Sequence, residues 1–312
     1  MIYRTASGGV SVEVAARLFR GRGSWDEDAL LVAEMQGRGV FEAPVHELDL
    51  TTASGLVLGA FDGTGPAVSR WAAEHVARLL GAPLSPLDAI SMRDRLLAVF
   101  KETARRAAAA IRARTLTGMG TTATVAVAVR QALVLAHVGD SRAYLWRRGR
   151  LVQATRDDTL LSQILRDADL SKDGGESGLE VDDSELARMD RIVTQVIGTL
   201  PDLHPYVDVL ELRRGDRLLL CTDELHRALG DAAIGGALGG SGGARPACDA
   251  LMDSAVKAGR GNVDVGVAVA HFNDAMLMSP TEADALADWS NDAIHDRLGR
   301  RGARARRRGG PL

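Results

Sequence analysis

The sequence predicts an α+β domain in which antiparallel sheets are layered against helices. Three observations predict it. Short apolar runs rich in Val, Ala and Leu come in groups joined by tight turns. Two long helical patterns stand together between residues 66 and 114. A third helical stretch comes late, just before a final apolar run. With 312 residues, the chain has room for one large domain or two ordinary ones.

Taken in order, residues 1–24 are mixed and Gly-rich and predict no element. Residues 29–33 and 56–61 are apolar runs of strand length and read as buried strands. Asp62-Gly63-Thr64-Gly65 follows as a sharp turn. Val68, Trp71, Ala72, Val76 and Leu79 then recur at helical spacing, with Pro66 in a first turn that needs no N–H. A second helix is predicted over about 87–114, with Ile90, Leu97, Phe100, Ala104 and Ile111 on one face. Residues 122–129 are almost wholly β-branched residues and alanine, a composition that fits burial on both faces. Runs at 133–138, 143–146 and 151–152 follow over short turns, which predicts an antiparallel meander. Residues 169–190 are polar and acidic and predict a surface excursion. Residues 207–212 and 218–221 read as a hairpin around Arg213-Arg214-Gly215-Asp216. A Gly-rich loop at 235–243, a helix at 246–258 and a strand at 263–272 complete the pattern. The expected division is a folded domain over 1–273 and a C-terminal segment over 274–312, part helix and part disordered Arg-rich tail.

Composition narrows the function classes. Apolar content of 46% and charged content of 25% are those of an ordinary globular protein. A net charge of -3 is too small to imply a polyanionic partner for the body of the protein. Two cysteines, Cys221 and Cys248, suggest a reduced, cytoplasmic protein rather than a disulfide framework. There is no signal-peptide pattern at the start, and no apolar run approaches the ~20 residues of a membrane span.

The informative pattern is acidic. Glu27 and Asp28 precede one predicted strand, and Asp62, Asp140 and Asp223 end others. Asp157 and Asp158 follow the strand at 151–152. Carboxylates delivered by strand ends suit a hard cation such as Mg²⁺ or Mn²⁺. Turn chemistry alone also places Asp in loops, so any single residue proves little. His75, His137 and His226 read as surface or satisfied core histidines, since no second His or Cys stands at ligand spacing.

Seven segments in order carry a resemblance. They are Asp26-Glu27-Asp28-Ala29, Gly59-Ala60-Phe61-Asp62-Gly63-Thr64-Gly65, Gly120-Thr121-Thr122-Ala123, and Ala136-His137-Val138-Gly139-Asp140-Ser141-Arg142-Ala143-Tyr144. Thr155-Arg156-Asp157-Asp158-Thr159-Leu160, Gly215 to Asp223, and Gly261-Asn262-Val263-Asp264-Val265 follow. Together they resemble the metal-dependent PPM/PP2C protein serine/threonine phosphatases. The resemblance implies a four-layer α-β-β-α sandwich of two antiparallel sheets flanked by helices. It implies one to three Mn²⁺ or Mg²⁺ ions in a cleft, with Asp62, Asp223 and Glu27 as the catalytic carboxylates. Asp62 would bridge two ions, Glu27 and the Gly63 carbonyl would hold one, and Asp223 the other. Asp157 would serve a further weak site, Asp28 would support from behind, and the 169–190 excursion would be the flap over the substrate.

The sequence departs from the family pattern at four places. Gly261 stands where the family has an aspartate, which weakens the second main metal site. Glu224 replaces a glycine after Asp223, and it or Asp264 is a candidate substitute ligand, although three residues along a strand turn Asp264 to the other face. Thr64 replaces a histidine suited to protonating a leaving group. Gly23 replaces a phosphate-binding arginine, with Arg22 and Arg20 as nearby candidates for that role. The resemblance therefore implies hydrolysis of phosphoserine and phosphothreonine on proteins by a metal-activated water. The alternative is a weak or inactive pseudophosphatase that binds a phosphoprotein or regulatory partner. A phosphoprotein made by a Ser/Thr kinase is the expected substrate. The Arg-rich tail offers contact with nucleic acid or an acidic surface, though a solvated tail is the plainer reading.

Overall fold

The computed structural model describes residues 9–22, 28–35, 40–41, 45–64, 67–83, 87–116, 119–170, 182–199 and 202–281. Two six-stranded antiparallel sheets lie face to face. The first has strand order β10 (Tyr206–Glu211), β7 (Ala132–Val138), β6 (Ala123–Val129), β5 (Leu56–Asp62), β2 (Asp28–Glu34), β3 (Val40–Phe41). The second has order β4 (Val45–Thr51), β1 (Ser11–Phe19), β12 (Val265–Phe272), β11 (Asp216–Cys221), β8 (Arg142–Arg147), β9 (Arg150–Gln153). Helices α1 (Val68–Leu80) and α2 (Ala89–Arg112) cover the first sheet, and α5 (Asp223–Gly240) and α6 (Ala244–Ala258) the second. Two short helices, α3 (Leu160–Leu170) and α4 (Asp183–Met189), flank the excursion, of which 171–181 lie outside the described residues. This is the four-layer sandwich that the resemblance implies.

Strand alternation sorts side chains between the layers. In β6, Val125 and Val127 face the α1–α2 layer, while Ala126 and Ala128 face the opposite sheet. In β12, Val265, Val267 and Val269 meet α5 and α6, while Ala268, Ala270 and Phe272 point between the sheets. Every residue of both strands is buried, which explains their unbroken apolar sequences. Asp88 starts α2 as a cap, accepting the Ser91 N–H at 2.8 Å. Arg147 and Asp216 form a buried two-pronged ion pair, at 2.7 and 2.6 Å, that locks β8 to β11.

Several expectations change. The meander over 122–152 is broken: β6 and β7 belong to one sheet, β8 and β9 to the other, and the chain crosses between them at 139–141. Likewise 207–212 and 218–221 form no hairpin. β10 pairs with β7 and β11 with β8 and β12, because the short link carries the chain across the sandwich instead of folding it back. Residues 235–240 are helix, not loop. Their small side chains let α5 lie against Trp146 and Leu151, and packing overrides the low helix propensity of glycine. Strands β1 and β4 arise in stretches for which the sequence predicted no element. The packed chain also passes residue 273: Leu277 is 3% exposed and belongs to the core between the sheets. Residues 282–312, including the Arg-rich tail, lie outside the described residues. Among the described residues, no helix is long and apolar enough to cross a membrane.

Candidate metal centre

Carboxylates from both sheets meet at one end of the sandwich. Asp28 begins β2 and Asp62 ends β5, directly opposite each other in the pairing of the two strands. Asp140 lies on the crossover between the sheets, and Asp223 opens α5 just after β11. Asp62, Asp140 and Asp223 each offer an oxygen within 4.8 Å of the others. Asp62 and Asp223 are among the candidate ligands of the sequence analysis, and Asp140 joins them in the cluster.

Backbone geometry fixes these positions. The Asp62 N–H donates to Thr122 Oγ1 at 3.0 Å, and the Asp62 carbonyl accepts from the Thr122 N–H at 2.7 Å and Thr121 Oγ1 at 3.0 Å. Thr122 Oγ1 also meets Ser141 Oγ at 2.7 Å, which ties the Asp62 strand to the crossover. The crossover turns at Gly139, whose φ of +102° would strain any other residue; a Cβ there would fall 2.5 Å from Thr122 Cγ2. His226, buried and held neutral by desolvation, bonds the Asp140 carbonyl through Nε2 at 3.0 Å. On the second sheet, the buried Thr222 hydroxyl donates to Asp28 Oδ2 at 2.8 Å and accepts the Gly266 N–H at 2.9 Å.

Burial and mutual repulsion push these acids upward. Desolvation, then the Asp223 charge, raise Asp28 to about 8 despite the Thr222 hydrogen bond. Asp62 is raised well above the usual range by burial and by Asp28 and Asp223. Asp140 is raised to about 7, again chiefly by burial. Acids crowded in this way are short of positive charge, which a divalent cation would supply. The oxygen-only donor set fits Mg²⁺ or Mn²⁺.

The remaining predicted residues divide. Glu27 and Gly23 lie outside the described residues. Gly63 bridges to Thr121, at the edge of the cluster. Asp157 is not brought into the cluster, contrary to the weak metal site assigned to it. Arg142 grips both of its oxygens at 2.7 to 3.1 Å, and Gln153 Nε2 takes Oδ1 at 2.8 Å. Asp264 Oδ1 accepts the Gly21 N–H at 2.7 Å, so it braces a loop. Glu224 is half-buried beside Asp223 but is not one of the three clustered acids. Arg22 is exposed, and its N–H donates to the Gly261 carbonyl at 3.0 Å. Thr64 Oγ1 accepts the Met119 N–H at 3.0 Å and serves as a loop brace.

The sequence analysis did not assign Asp140 to the site and did not single out Thr222 or Arg227. Asp140 was visible as one of the strand-end acids, and Thr222 as the residue before Asp223. The signal for Arg227 was its spacing of four from Asp223 on a helix, which puts both on one face. Its Nη2 lies 2.7 Å from Asp140 Oδ2, and its Nη1 contacts Asp223 Oδ2.

Comparison with known proteins points the same way. A sequence model described as protein phosphatase 2C matches residues 53–161. The serine/threonine protein phosphatase PstP of Mycobacterium tuberculosis (strain ATCC 25618 / H37Rv) is 31% identical over 210 residues, covering 66% of this chain and 38% of PstP. The serine/threonine phosphatase stp of Listeria monocytogenes (serovar 1/2a) is 33% identical over 110 residues, 35% of this chain and 40% of that protein. The chain thus spans less than half the length of these curated relatives. The crystal structure of the PstP catalytic domain with two manganese ions superposes with a TM-score of 0.59 at 26% identity, over 85% of this chain and 100% of that one. Stp1 from Staphylococcus aureus shares the fold with a TM-score of 0.68 at 20% identity, over 88% of this chain and 100% of that one.

Proposed function

The chain belongs to the protein phosphatase 2C family, and from that premise we propose that it hydrolyses phosphoserine and phosphothreonine esters on proteins with Mn²⁺ or Mg²⁺. The observation that carries the reading is the meeting of Asp62, Asp140 and Asp223, each with an oxygen within 4.8 Å of the others. Three acids share one guanidinium, that of Arg227 on Asp140 and Asp223, so negative charge remains for a cation to offset. The relatives reported above are named as phosphatases, which lends no support to a pseudophosphatase.

Asp62 and Asp223 would hold the cation, with Asp140 beside them and Glu27 and the Gly63 carbonyl as further donors. When bound, the ion would polarise the phosphoryl group and lower the pKa of a water. Asp28, anchored by Thr222, is held largely protonated near neutral pH because burial raises it to about 8, and it would act as a base only once a cation beside it had drawn that proton off. Thr64 holds no proton that it can release near neutral pH, so departure of a serine or threonine alkoxide proceeds without acid help from that position. Aryl phosphates, whose leaving groups need no such help, should turn over faster. The substrate would be a phosphoprotein, the product of a Ser/Thr kinase.

The test is hydrolysis of p-nitrophenyl phosphate and a phosphothreonine peptide with added Mn²⁺, comparing wild type with Asp62→Asn. Activity on both that the substitution removes supports the reading. No activity on either substrate, or activity indifferent to Asp62→Asn, overturns it.

A further inference from the structure

We propose that Arg227 is a resident cation standing in for a second divalent ion, so that the centre takes one Mn²⁺ or Mg²⁺ where two would otherwise bind; the inference rests on the metal-dependent reading above. Three observations converge. Gly261 provides no side chain at the position from which the family's aspartate would reach the ion held by Asp223, and a Cβ there would meet nothing within 4 Å. The two nearby substitute acids do not fill the gap: Asp264 is bonded to the Gly21 N–H, and Glu224 lies outside the clustered three. Instead, a guanidinium bridges Asp140 and Asp223. It reaches them from the start of the second turn of α5, and Nη2 also lies 3.4 Å from the Asp190 carbonyl, at the foot of the excursion.

The missing acid at 261 and the arginine on Asp223 act on the same ion's ligand set. Removing a ligand lowers the negative charge available to a second ion, and the guanidinium engages an oxygen of Asp223, the ligand that such an ion would still need. The guanidinium cannot lose its proton, so the substitution holds at every physiological pH. Burial opposes its charge, yet the Asp223 and Asp140 carboxylates more than offset this and raise its pKa. Asp62 faces Asp28 across the paired strands β2 and β5 and shares the cluster with Asp223, which leaves one ion's place on that side.

The experiment counts ions. Calorimetric titration and electron paramagnetic resonance with Mn²⁺ are run on wild type, Arg227→Ala, Gly261→Asp and the Arg227→Ala/Gly261→Asp double variant. Thermal midpoints are taken in chelator and in excess Mn²⁺. Wild type is expected to bind one ion at this centre and give an uncoupled spectrum. The double variant should bind two and give a spin-coupled one. Arg227→Ala should melt lower in chelator, recover with Mn²⁺, and bind the ion about tenfold more tightly, the effect of removing one positive charge ~5 Å from a divalent ion even in high dielectric. Two coupled ions in wild type, with hydrolysis still dependent on Asp62, overturn the inference alone. No Mn²⁺ binding by wild type and no Asp62-dependent hydrolysis overturn the phosphatase reading with it. The wild-type count decides the matter even if Arg227→Ala fails to fold.

Discussion

Thr222→Val removes one oxygen and keeps the side-chain shape. That oxygen serves two partners: it donates to Asp28 Oδ2 at 2.8 Å and accepts the Gly266 N–H at 2.9 Å. Thr222 is fully buried, so water cannot replace either bond. A stranded buried N–H costs about 1–3 kcal/mol, and a lost bond to a neutral carboxyl about 1 kcal/mol. Asp28 is largely neutral at pH 7 because burial raises it to about 8. The expected loss at pH 7 is therefore about 2–4 kcal/mol, a fall of roughly 4–7 °C in melting temperature for a domain of this size. Urea denaturation in chelator, with wild type, Thr222→Val and Thr222→Ser in parallel, measures it. Serine keeps both bonds and should lose less than about 1 kcal/mol, the worth of one buried methyl. At pH 9, where Asp28 ionises, the gap between valine and wild type should widen, since bonds to charged groups are the stronger ones. A Thr222→Val variant within about 0.5 kcal/mol of wild type, below the cost of any stranded donor, would refute the reasoning.

Three other outcomes are expected. Metal-free protein should lose stability as pH rises from about 4 towards 8. The sign follows because Asp28 and Asp140 have folded values of about 8 and about 7, above their unfolded values, and stability held by their protons at low pH is lost through that interval. Denaturation midpoints in chelator at pH 5 and pH 8.5 check it, and Asp28→Asn should flatten the slope. Gly139→Ala should cost at least about 1–3 kcal/mol in chemical denaturation, because φ is +102° and the new methyl would overlap Thr122. Arg142→Ala should cost about 3–5 kcal/mol by the same measurement, since it strands Asp157 as an unpaired buried acid.

Much of the fold was legible because its strands and helices carry local signals. The all-buried run of β6, the helical faces of α1 and α2 and the acids at strand ends are short-range patterns. What the sequence concealed was which sheet each strand joins. The links at 139–141 and 212–215 are as short as hairpin turns, yet each carries the chain across the sandwich, and nothing local distinguishes the two geometries. The same gap explains the site. Asp62 and Asp223 were readable as strand-end acids. Asp157 was readable in the same way but is claimed by Arg142, a partner that only tertiary packing reveals. Arg227 resembled any helical arginine until α5 brought it to Asp140, which is 87 residues distant in sequence.

Asp28 and Asp62 belong to one sheet, Asp223 follows the last strand contact of the other, and Asp140 sits on the strand-to-strand bridge. A cation held among them would therefore be a rivet through both halves of the sandwich, at the end where α5 begins. Parting the sheets would release the ion, and supplying the ion would oppose parting. A metal at a hundred times its dissociation constant adds about 2.7 kcal/mol to the folded state. The folded fraction would then follow the free Mn²⁺ or Mg²⁺ around the protein.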